Sequence, residues 1–300
     1  ATRAPPPQVL DGLVRCGLRA AGCGLRAAGC GLRPGVGYET VTGRTAGRQA
    51  EADRSTYRYW TMRYALISDI HANLPALEAV LADIAARGDV AATYHLGDLV
   101  GYSSEPTAVV ERLHDEAIAG VAGNYDSTVA TGYKHCGCRS ESPRQEELAH
   151  VSYEWTCANT SDGAKSLLRA LPLRIDIRPL GGHVAGPTIT LVHATPASNL
   201  VSVTEDRPDA FLAKQAAAAG LSSGDVLCFG HTHKPWHRVV EGIHFVNTGS
   251  VGRPKDGDPR ACYVIIEMSG DAPVVGFARV AYDVERAAQG IVDAGLPLNR

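Results

Sequence analysis

Hydrophobic and polar residues between positions 62 and 130 follow a strand–helix–strand rhythm. Short apolar runs predict three strands, at residues 64–67, 90–96 and 118–122. Apolar residues at helical spacing between them predict two helices, at residues 74–87 and 106–116. Because each helix leads into a further strand, this order predicts an α/β fold with a parallel sheet, and it places the loops that follow the strands at one edge.

The pattern changes after residue 130. Two helical stretches, at residues 143–157 and 162–171, predict a small helical insertion over about 131–171, which we expect beside the strand ends. The remaining chain is rich in strands. It predicts two hairpins, 173–178 with 188–193 and 238–240 with 243–246. The other expected elements are strands at 225–229, 261–268 and 272–280, and helices at 208–219 and 282–294.

Residues 1–61 lack this patterning. After three consecutive prolines, a seven-residue unit that begins Cys-Gly-Leu-Arg repeats from Cys16 onward. Each unit carries only one large apolar residue, so it offers no coiled-coil seam, and such sequence buries too little surface to offset its ordering entropy. We therefore expect a disordered low-complexity tail at 1–61 and a folded domain at 62–300, with Met62 as the first residue of the mature protein.

The composition is that of an ordinary globular protein and argues against several classes. Hydrophobic residues make up 45% and charged residues 20% of the 300 positions, and the formal net charge of -3 argues against a nucleic-acid partner. No stretch has the roughly 18 apolar residues of a membrane span, and no signal-type apolar run precedes the domain. The eight cysteines form no compact disulfide framework. We expect a cytoplasmic protein that does not bind membranes.

Side chains of metal-ligating types follow several of the predicted strands. They are Asp69, His71, Asp98, Asn124, His193, His231 and His233. A single Asp and His after a strand would also fit a helix cap and a surface histidine, but repeated occurrence at strand ends favours one shared site. Two carboxylates, one amide and four imidazoles suit Mn, Fe, Zn, Ni or Co better than Ca or Mg. Because seven ligands exceed one tetrahedral site, the set predicts two divalent ions that share a bridging carboxylate.

The same residues form a series of motifs. In chain order they are Asp69-x-His71, Gly97-Asp98-x-x-Gly101, Gly123-Asn124-x-Asp126, Leu191-Val192-His193 and Gly230-His231-Thr232-His233. The series resembles the calcineurin-like metallophosphoesterases, in particular their small bacterial and archaeal phosphodiesterases, over about residues 62–283. The resemblance implies a four-layer α/β/β/α sandwich with a dimetal site at the strand ends.

The resemblance also implies a division of the ligands. One metal would be held by Asp69, His71 and His233, and the other by Asn124, His193 and His231. Asp98 would bridge the two ions. In this arrangement a metal-bridging hydroxide hydrolyses the phosphate ester.

We expect the third motif to supply the catalytic residues Asn124, Tyr125 and Asp126. The amide of Asn124 can both bind metal and donate to a phosphoryl oxygen. Tyr125 departs from the family pattern, in which many members have a histidine that protonates the leaving group. A phenol with a pKa near ~10 is protonated at neutral pH and able to donate, but it is not an obvious replacement. In the family, small phosphodiesterases with other residues at this position are active, whereas the retromer subunit without the histidine is a scaffold.

Basic residues of the insertion are the expected substrate contacts: Lys134, His135, Arg139 and Arg144. The alternative is a solvated basic loop. Cys136 and Cys138 beside His135 lack a fourth ligand for a zinc site, so we interpret this stretch as a plain loop.

These observations predict a dimetal phosphodiesterase that acts on a small phosphate ester. A phosphomonoesterase, including a protein phosphatase, is the first alternative, and an inactive metal-binding scaffold is the second. Tyr125 favours the scaffold, whereas the complete ligand set and the basic insertion favour the enzyme. The sequence does not indicate the oligomeric state.

Overall fold

The computed structural model describes residues 61–137, 142–178, 186–269 and 272–296. The tail predicted at 1–61 lies outside the described residues, apart from Thr61, so its disorder stays a prediction. Among the described helices, none has the length and apolar character needed to cross a bilayer. The cytoplasmic location also stays a prediction.

Strands and helices alternate in the first half of the domain, and strands dominate the second. The strands are β1 Met62–Ile67, β2 Val90–His95, β3 Ala119–Gly120, β4 Arg174–Ile177, β5 Ile189–Val192, β6 Val226–Phe229, β7 Trp236–Val240, β8 Ile243–Asn247, β9 Ala261–Ser269 and β10 Ala272–Val280. The helices are α1 Leu74–Arg87, α2 Pro106–Asp115, α3 Asn124–Thr131, α4 Pro143–Asn159, α5 Asp162–Ala170, α6 Asp209–Ala219 and α7 Val284–Asp293. All but α3 agree with the predicted elements to within a few residues.

The strands form two five-stranded sheets. The first has the order β10-β9-β1-β2-β3. Its strands β1, β2 and β3 are parallel, as the strand–helix rhythm predicts, and Ile67 at the end of β1 is level with His95 at the end of β2. The carboxyl ends of these three strands are therefore at one edge, and the loops that follow them emerge together.

The second sheet has the order β4-β5-β6-β8-β7. Its central strands β5, β6 and β8 are parallel. The two predicted hairpins are confirmed as the antiparallel pairs β4–β5 and β7–β8. The loops after β5 and β6, which carry the predicted histidine ligands, leave the same edge of this sheet.

Three apolar cores hold the layers together. One lies between the sheets and includes Leu66 of β1, Leu191 of β5 and Val264 of β9. A second packs α1, α2 and other helices on the outer face of the first sheet, and a third packs α6 on the second sheet. The predicted α/β/β/α sandwich is thereby confirmed. The predicted insertion does contain two helices, and α5 packs against α2 and α3.

The sequence pattern predicts only a loop, beginning at Gly123, after the strand at 118–122, and the helix α3 found there corrects that prediction. The helix begins at Asn124, directly after the extended Gly123. Its sequence is rich in Ser, Thr and Val, which are poor helix formers. Its hydroxyl groups stabilise it by bonding to preceding backbone carbonyls, as Thr128 Oγ1 does to the Asn124 carbonyl at 2.8 Å. The ligand-type residue Asn124 thus lies at a helix start that apolar periodicity does not reveal.

Candidate metal centre

Most of the seven predicted ligands have a backbone conformation that residues other than glycine rarely adopt. Five have a positive φ: Asp69 (51°), His71 (50°), Asp98 (53°), His231 (67°) and His233 (61°). Left-handed backbone at non-glycine residues is strained, and such residues cluster at functional sites. The tight turns point several side chains from consecutive loops toward the same space at the sheet edge.

The first group of ligand atoms combines the loops after β1 and β6. Nε2 of His71 and Nε2 of His233 are 3.1 Å apart. Oδ1 of Asp69 lies 3.4 Å from Nε2 of His233 and 3.9 Å from Nε2 of His71. All three residues are buried. These atoms are close enough to bind one ion together.

The second group combines the loops after β2, β5 and β6 with the start of α3. Nε2 of His193 lies 3.1 Å from Oδ1 of Asn124, 3.2 Å from Nδ1 of His231 and 3.5 Å from Oδ2 of Asp98. Nδ1 of His231 is also 3.1 Å from Oδ1 of Asn124. The four side chains therefore form a second compact set of possible ligands.

Asp98 lies between the two groups. Its Oδ2 is 3.8 Å from Nε2 of His71 in the first group and 3.5 Å from Nε2 of His193 in the second. Its Oδ1 accepts a hydrogen bond of 2.9 Å from the backbone N–H of Tyr125, which fixes the carboxylate plane. The fold thus brings together two groups of possible metal ligands, and the division of the ligands between two ions stays a prediction.

Backbone carbonyls orient three of the histidine rings. Nδ1 of His71 bonds to the Val100 carbonyl at 3.1 Å, and Nδ1 of His193 bonds to the Leu96 carbonyl at 2.8 Å. Nδ1 of His233 bonds to the Arg253 carbonyl at 2.7 Å. Since a carbonyl only accepts, each Nδ1 carries a proton, and each ring directs its Nε2 toward the centre.

Glycines allow the loops to approach the ligands closely. A Cβ at Gly230 would lie 2.3 Å from Oδ2 of Asp69, and a Cβ at Gly123 would lie 2.1 Å from Oδ1 of Asp98. The amide of Asn247 supports the histidine loop by donating to the Gly230 carbonyl at 2.8 Å. These two positions therefore require glycine, because any side chain would collide with a carboxylate.

Burial shifts the acid–base balance of the centre. It raises the pKa of the Asp69 carboxyl to about 7, against the opposing effect of His193. Burial, together with the nearby Asp126 carboxylate, raises the pKa of Asp98 well above its ordinary range. Burial likewise lowers the pKa of His71 and His233 well below theirs. The imidazoles are consequently neutral, which is the protonation state that binds metal.

The three residues expected to be catalytic lie close together but make different contacts. Nδ2 of Asn124 donates to the Cys136 carbonyl at 3.0 Å, which turns its Oδ1 toward the histidines. Asp126 is buried and accepts from the backbone N–H groups of Leu99 (2.8 Å) and Gly123 (2.9 Å). Asp126 thereby holds the loop of Asp98 to the start of α3, so these contacts give it a positioning role.

Tyr125 is fully buried and belongs to an aromatic cluster. Its ring centroid lies 4.9 Å from that of Tyr102, 5.6 Å from that of His71 and 6.0 Å from that of Tyr153. A Cβ at Gly101 would lie 2.4 Å from the Tyr125 ring, so the ring fills the space under the loop after β2. Packing of this kind explains how a large phenol fits here, and a role as proton donor stays a prediction.

The described members of the expected substrate contacts lie at the surface. Lys134 and His135 are exposed. Arg144 is exposed and donates to Glu147 at 2.8 Å within α4. Arg139 lies outside the described residues. The sequence interpretation passed over Arg253, which follows the glycine-containing loop after β8 and whose backbone carbonyl holds His233.

Comparisons with known proteins agree with this geometry. A family model for the calcineurin-like phosphoesterase superfamily domain matches residues 62–271. An uncharacterised protein of Methanocaldococcus jannaschii is 30% identical over 248 residues, which is 78% of this chain and 93% of that protein. Phosphodiesterase YfcE of Escherichia coli K12 is 27% identical over 208 residues, covering 66% of this chain and 84% of YfcE.

The structural comparison gives the same assignment. The crystal structure of a metallophosphoesterase from Sphaerobacter thermophilus is 30% identical, with a TM-score of 0.60, over 79% of this chain and 95% of that chain. The residues that the family model matches, 62–271, include both groups of possible metal ligands. The chain belongs to the calcineurin-like phosphoesterase superfamily.

Proposed function

We propose that this protein is a metal-dependent hydrolase of small phosphate esters, and that phosphodiesters are its preferred substrates. The proposal extends the family assignment to a reaction and a substrate class. Its support comes from the arrangement of the ligand atoms, from the relationship to phosphodiesterase YfcE, and from the residues around the centre.

One observation carries the proposal. In the group of Asp69, His71 and His233, three hydrogen-bond acceptor atoms lie close together with no hydrogen-bond donor between them. Nε2 of His71 faces Nε2 of His233 at 3.1 Å, and each ring has its proton on Nδ1. Among the described residues, the buried Oδ1 of Asp69 has no hydrogen-bond partner. Three acceptors packed this closely repel one another, and a cation among them removes the repulsion.

The donor set fits two divalent ions of the Mn, Fe, Zn, Ni or Co type. Oxygen and nitrogen ligands without thiolate are typical of these metals. Asp69, His71 and His233 would hold one ion, and Asn124, His193 and His231 the other, with Asp98 shared. Bound there, two divalent ions supply charge neutralisation of the phosphoryl group and lower the pKa of water toward ~7.

The protein residues orient this chemistry. The carbonyls of Val100, Leu96 and Arg253 fix the three imidazole planes, so that little reorganisation is needed when substrate arrives. The Tyr125 amide fixes Asp98 in the same way. Burial of the ligands excludes water from their inner side, which strengthens every charge interaction with a phosphate ester.

The third motif favours phosphodiesters with good leaving groups. It lacks the histidine that many family members have, and the Tyr125 ring is fully buried in an aromatic cluster. A substrate whose leaving group departs without protonation depends less on a general acid. We therefore place activated phosphodiesters above phosphomonoesters of poor leaving groups.

Hydrolysis of two chromogenic esters tests the proposal. Protein stripped of metal is reloaded with Mn, Ni, Co, Zn or Mg and given bis-p-nitrophenyl phosphate or p-nitrophenyl phosphate. Asp98→Asn keeps an amide oxygen for the Tyr125 N–H but loses the second carboxylate oxygen. Asp115→Asn, at the exposed end of α2, is the matched control.

We expect metal-dependent cleavage of the diester that Asp98→Asn abolishes and Asp115→Asn retains. Cleavage of the monoester alone would support a phosphomonoesterase instead. Two bound ions per chain with no turnover of either ester would contradict the enzyme and support the scaffold.

A further inference from the structure

We propose that Arg253 is the substrate-binding cation of this centre and that its guanidinium binds a phosphoryl oxygen; the inference builds on the proposed function. The sequence interpretation assigned substrate binding to the basic residues of the helical insertion. The structure places a further basic residue, Arg253, in the loop after β8, which contacts His233 of the first group.

The guanidinium of Arg253 lies beside the ligand histidines. Its central carbon is 4.0 Å from the ring centroid of Tyr102, so the group is held over the aromatic face. The Tyr102 ring contacts His71 edge-on, with centroids 4.8 Å apart. The Arg253 carbonyl accepts from His233 on the other side. Arg253 is therefore next to both imidazoles of the first group.

The backbone of Arg253 is fixed by the residues that build the centre. Its N–H donates to Ser250 Oγ at 2.8 Å, and the same hydroxyl donates to the Asp69 carbonyl at 2.7 Å. Two residues later, the N–H of Lys255 donates to the His233 carbonyl at 3.3 Å. A Cβ at Gly252 would lie 1.8 Å from the Ile70 carbonyl oxygen, so the segment runs tightly under the loop after β1.

Among the described residues, no carboxylate pairs with the Arg253 guanidinium. Within the described ranges, its side chain makes neither an ion pair nor a hydrogen bond, and it is only half-buried. A stacked guanidinium has lost much of its freedom and still presents a planar set of donors, which matches two phosphoryl oxygens. By contrast, the charge of Arg144 is engaged by Glu147. The better prepared anion site is at Arg253.

Binding of inorganic phosphate provides a test that does not require turnover. Phosphate is titrated by calorimetry into the manganese-loaded wild type and into Arg253→Gln, Arg253→Lys and Arg144→Gln. Manganese content and thermal unfolding are measured for each protein, because every variant must retain its metal and fold. KM and kcat for bis-p-nitrophenyl phosphate are measured on the same samples.

We expect Arg253→Gln to bind phosphate about tenfold or more weakly, since a charge-assisted hydrogen bond is lost. The phosphate affinity of Arg253→Lys should lie between those of Arg253→Gln and the wild type, because lysine keeps the positive charge but lacks the planar guanidinium donors. Arg144→Gln should bind as the wild type does. KM for the diester should rise in step with the phosphate dissociation constant.

Equal phosphate affinity in Arg253→Gln and the wild type, at equal manganese content, would overturn the inference. A loss of affinity in Arg144→Gln alone would overturn it as well and restore the insertion as the contact. If no protein cleaves either ester while phosphate binding still depends on Arg253, the proposed function fails and the anion site stands.

Discussion

The backbone N–H of His231 donates to Oδ2 of Asp69 at 3.0 Å, which joins residues 162 positions apart. Asp69 follows β1 in one sheet, and His231 follows β6 in the other. The bond ties a residue of the first ligand group to a residue of the second. It also leaves Oδ1 of Asp69 to face His71 and His233. The candidate metal centre is thus also a junction between the two sheets.

Asp69→Asn should separate metal binding from stability. The amide oxygen can keep the bonds from Ser68 and His231, and the amide nitrogen can donate to the lone pairs of His71 and His233. The variant removes a buried carboxylate whose pKa is raised to about 7 by burial. We expect the metal-free variant to unfold at a temperature equal to or above that of the metal-free wild type, while it binds fewer ions. Thermal unfolding in a chelator, beside metal analysis, measures both; a clear drop in the unfolding temperature would refute the repulsion argument.

Asp126→Ala should destabilise the domain through the backbone. It leaves the buried N–H groups of Leu99 and Gly123 without their acceptor, at a cost of about 1–3 kcal/mol for each donor. Thr131→Ala, at the exposed end of α3, is the control and should change the unfolding free energy by less than about 0.5 kcal/mol. Urea unfolding gives both values. Similar values for the two variants would show that Asp126 is not a structural support.

Gly230→Ala should disturb the centre by steric pressure. The new Cβ meets Oδ2 of Asp69 at 2.3 Å, so the carboxylate or the histidine loop must move. Overpacking of this kind costs about 1–3 kcal/mol, and we expect weaker metal binding with it. Gly163→Ala in α5 is a control in open space, where the nearest atom is 3.8 Å away, and alanine favours the helix. Unchanged metal affinity in Gly230→Ala would mean that the loops adjust freely.

His95, at the end of β2, should make stability depend on acid. Burial lowers the pKa of its imidazole to about 4, and its Nδ1 has no hydrogen-bond partner in the described ranges. In the unfolded chain the His95 imidazole takes up a proton at about pH 6.5, so above that pH the folded state keeps its full unfolding free energy. As the pH falls toward about 4, the unfolded chain gains the proton and the folded state does not, and the unfolding free energy drops by about 3 kcal/mol.

The change His95→Gln tests that dependence. The wild type should lose more unfolding free energy between pH 7 and pH 4 than His95→Gln does, by about 3 kcal/mol. Urea unfolding in a chelator measures both losses. His114→Gln, exposed on α2, should leave the loss unchanged. If the wild type and His95→Gln lose the same unfolding free energy between pH 7 and pH 4, His95 is not a buried neutral histidine.

The hydrophobic pattern was sufficient for the parallel strands, and the family resemblance implied the layers and the two groups of possible metal ligands. Apolar strands followed by Asp, Asn or His are a local signal, and parallel strands necessarily bring their ends together. Asp98 and His193 follow strands of different sheets, so only the family resemblance led us to expect them as neighbours across 95 positions. The distance of 3.5 Å between Oδ2 of Asp98 and Nε2 of His193 depends on how the two sheets pack together.

Other features depend on tertiary contacts that periodicity does not report. Helix α3 is short and made of poor helix formers, and it exists because Asp126 and the hydroxyl groups cap and brace it. The position of Arg253 depends on Tyr102, which is distant in sequence and lies in a left-handed turn. The sequence interpretation placed substrate contacts in the basic residues of the insertion, because Arg and Lys suit phosphate.

The most direct test of the account is a titration of bis-p-nitrophenyl phosphate hydrolysis against manganese added per metal-free chain. Two ligand groups sharing Asp98 predict that the rate rises to a plateau at two equivalents and that Asp98→Asn shows no such rise. A plateau at one equivalent, or no hydrolysis at any manganese concentration, would contradict a two-metal phosphoesterase.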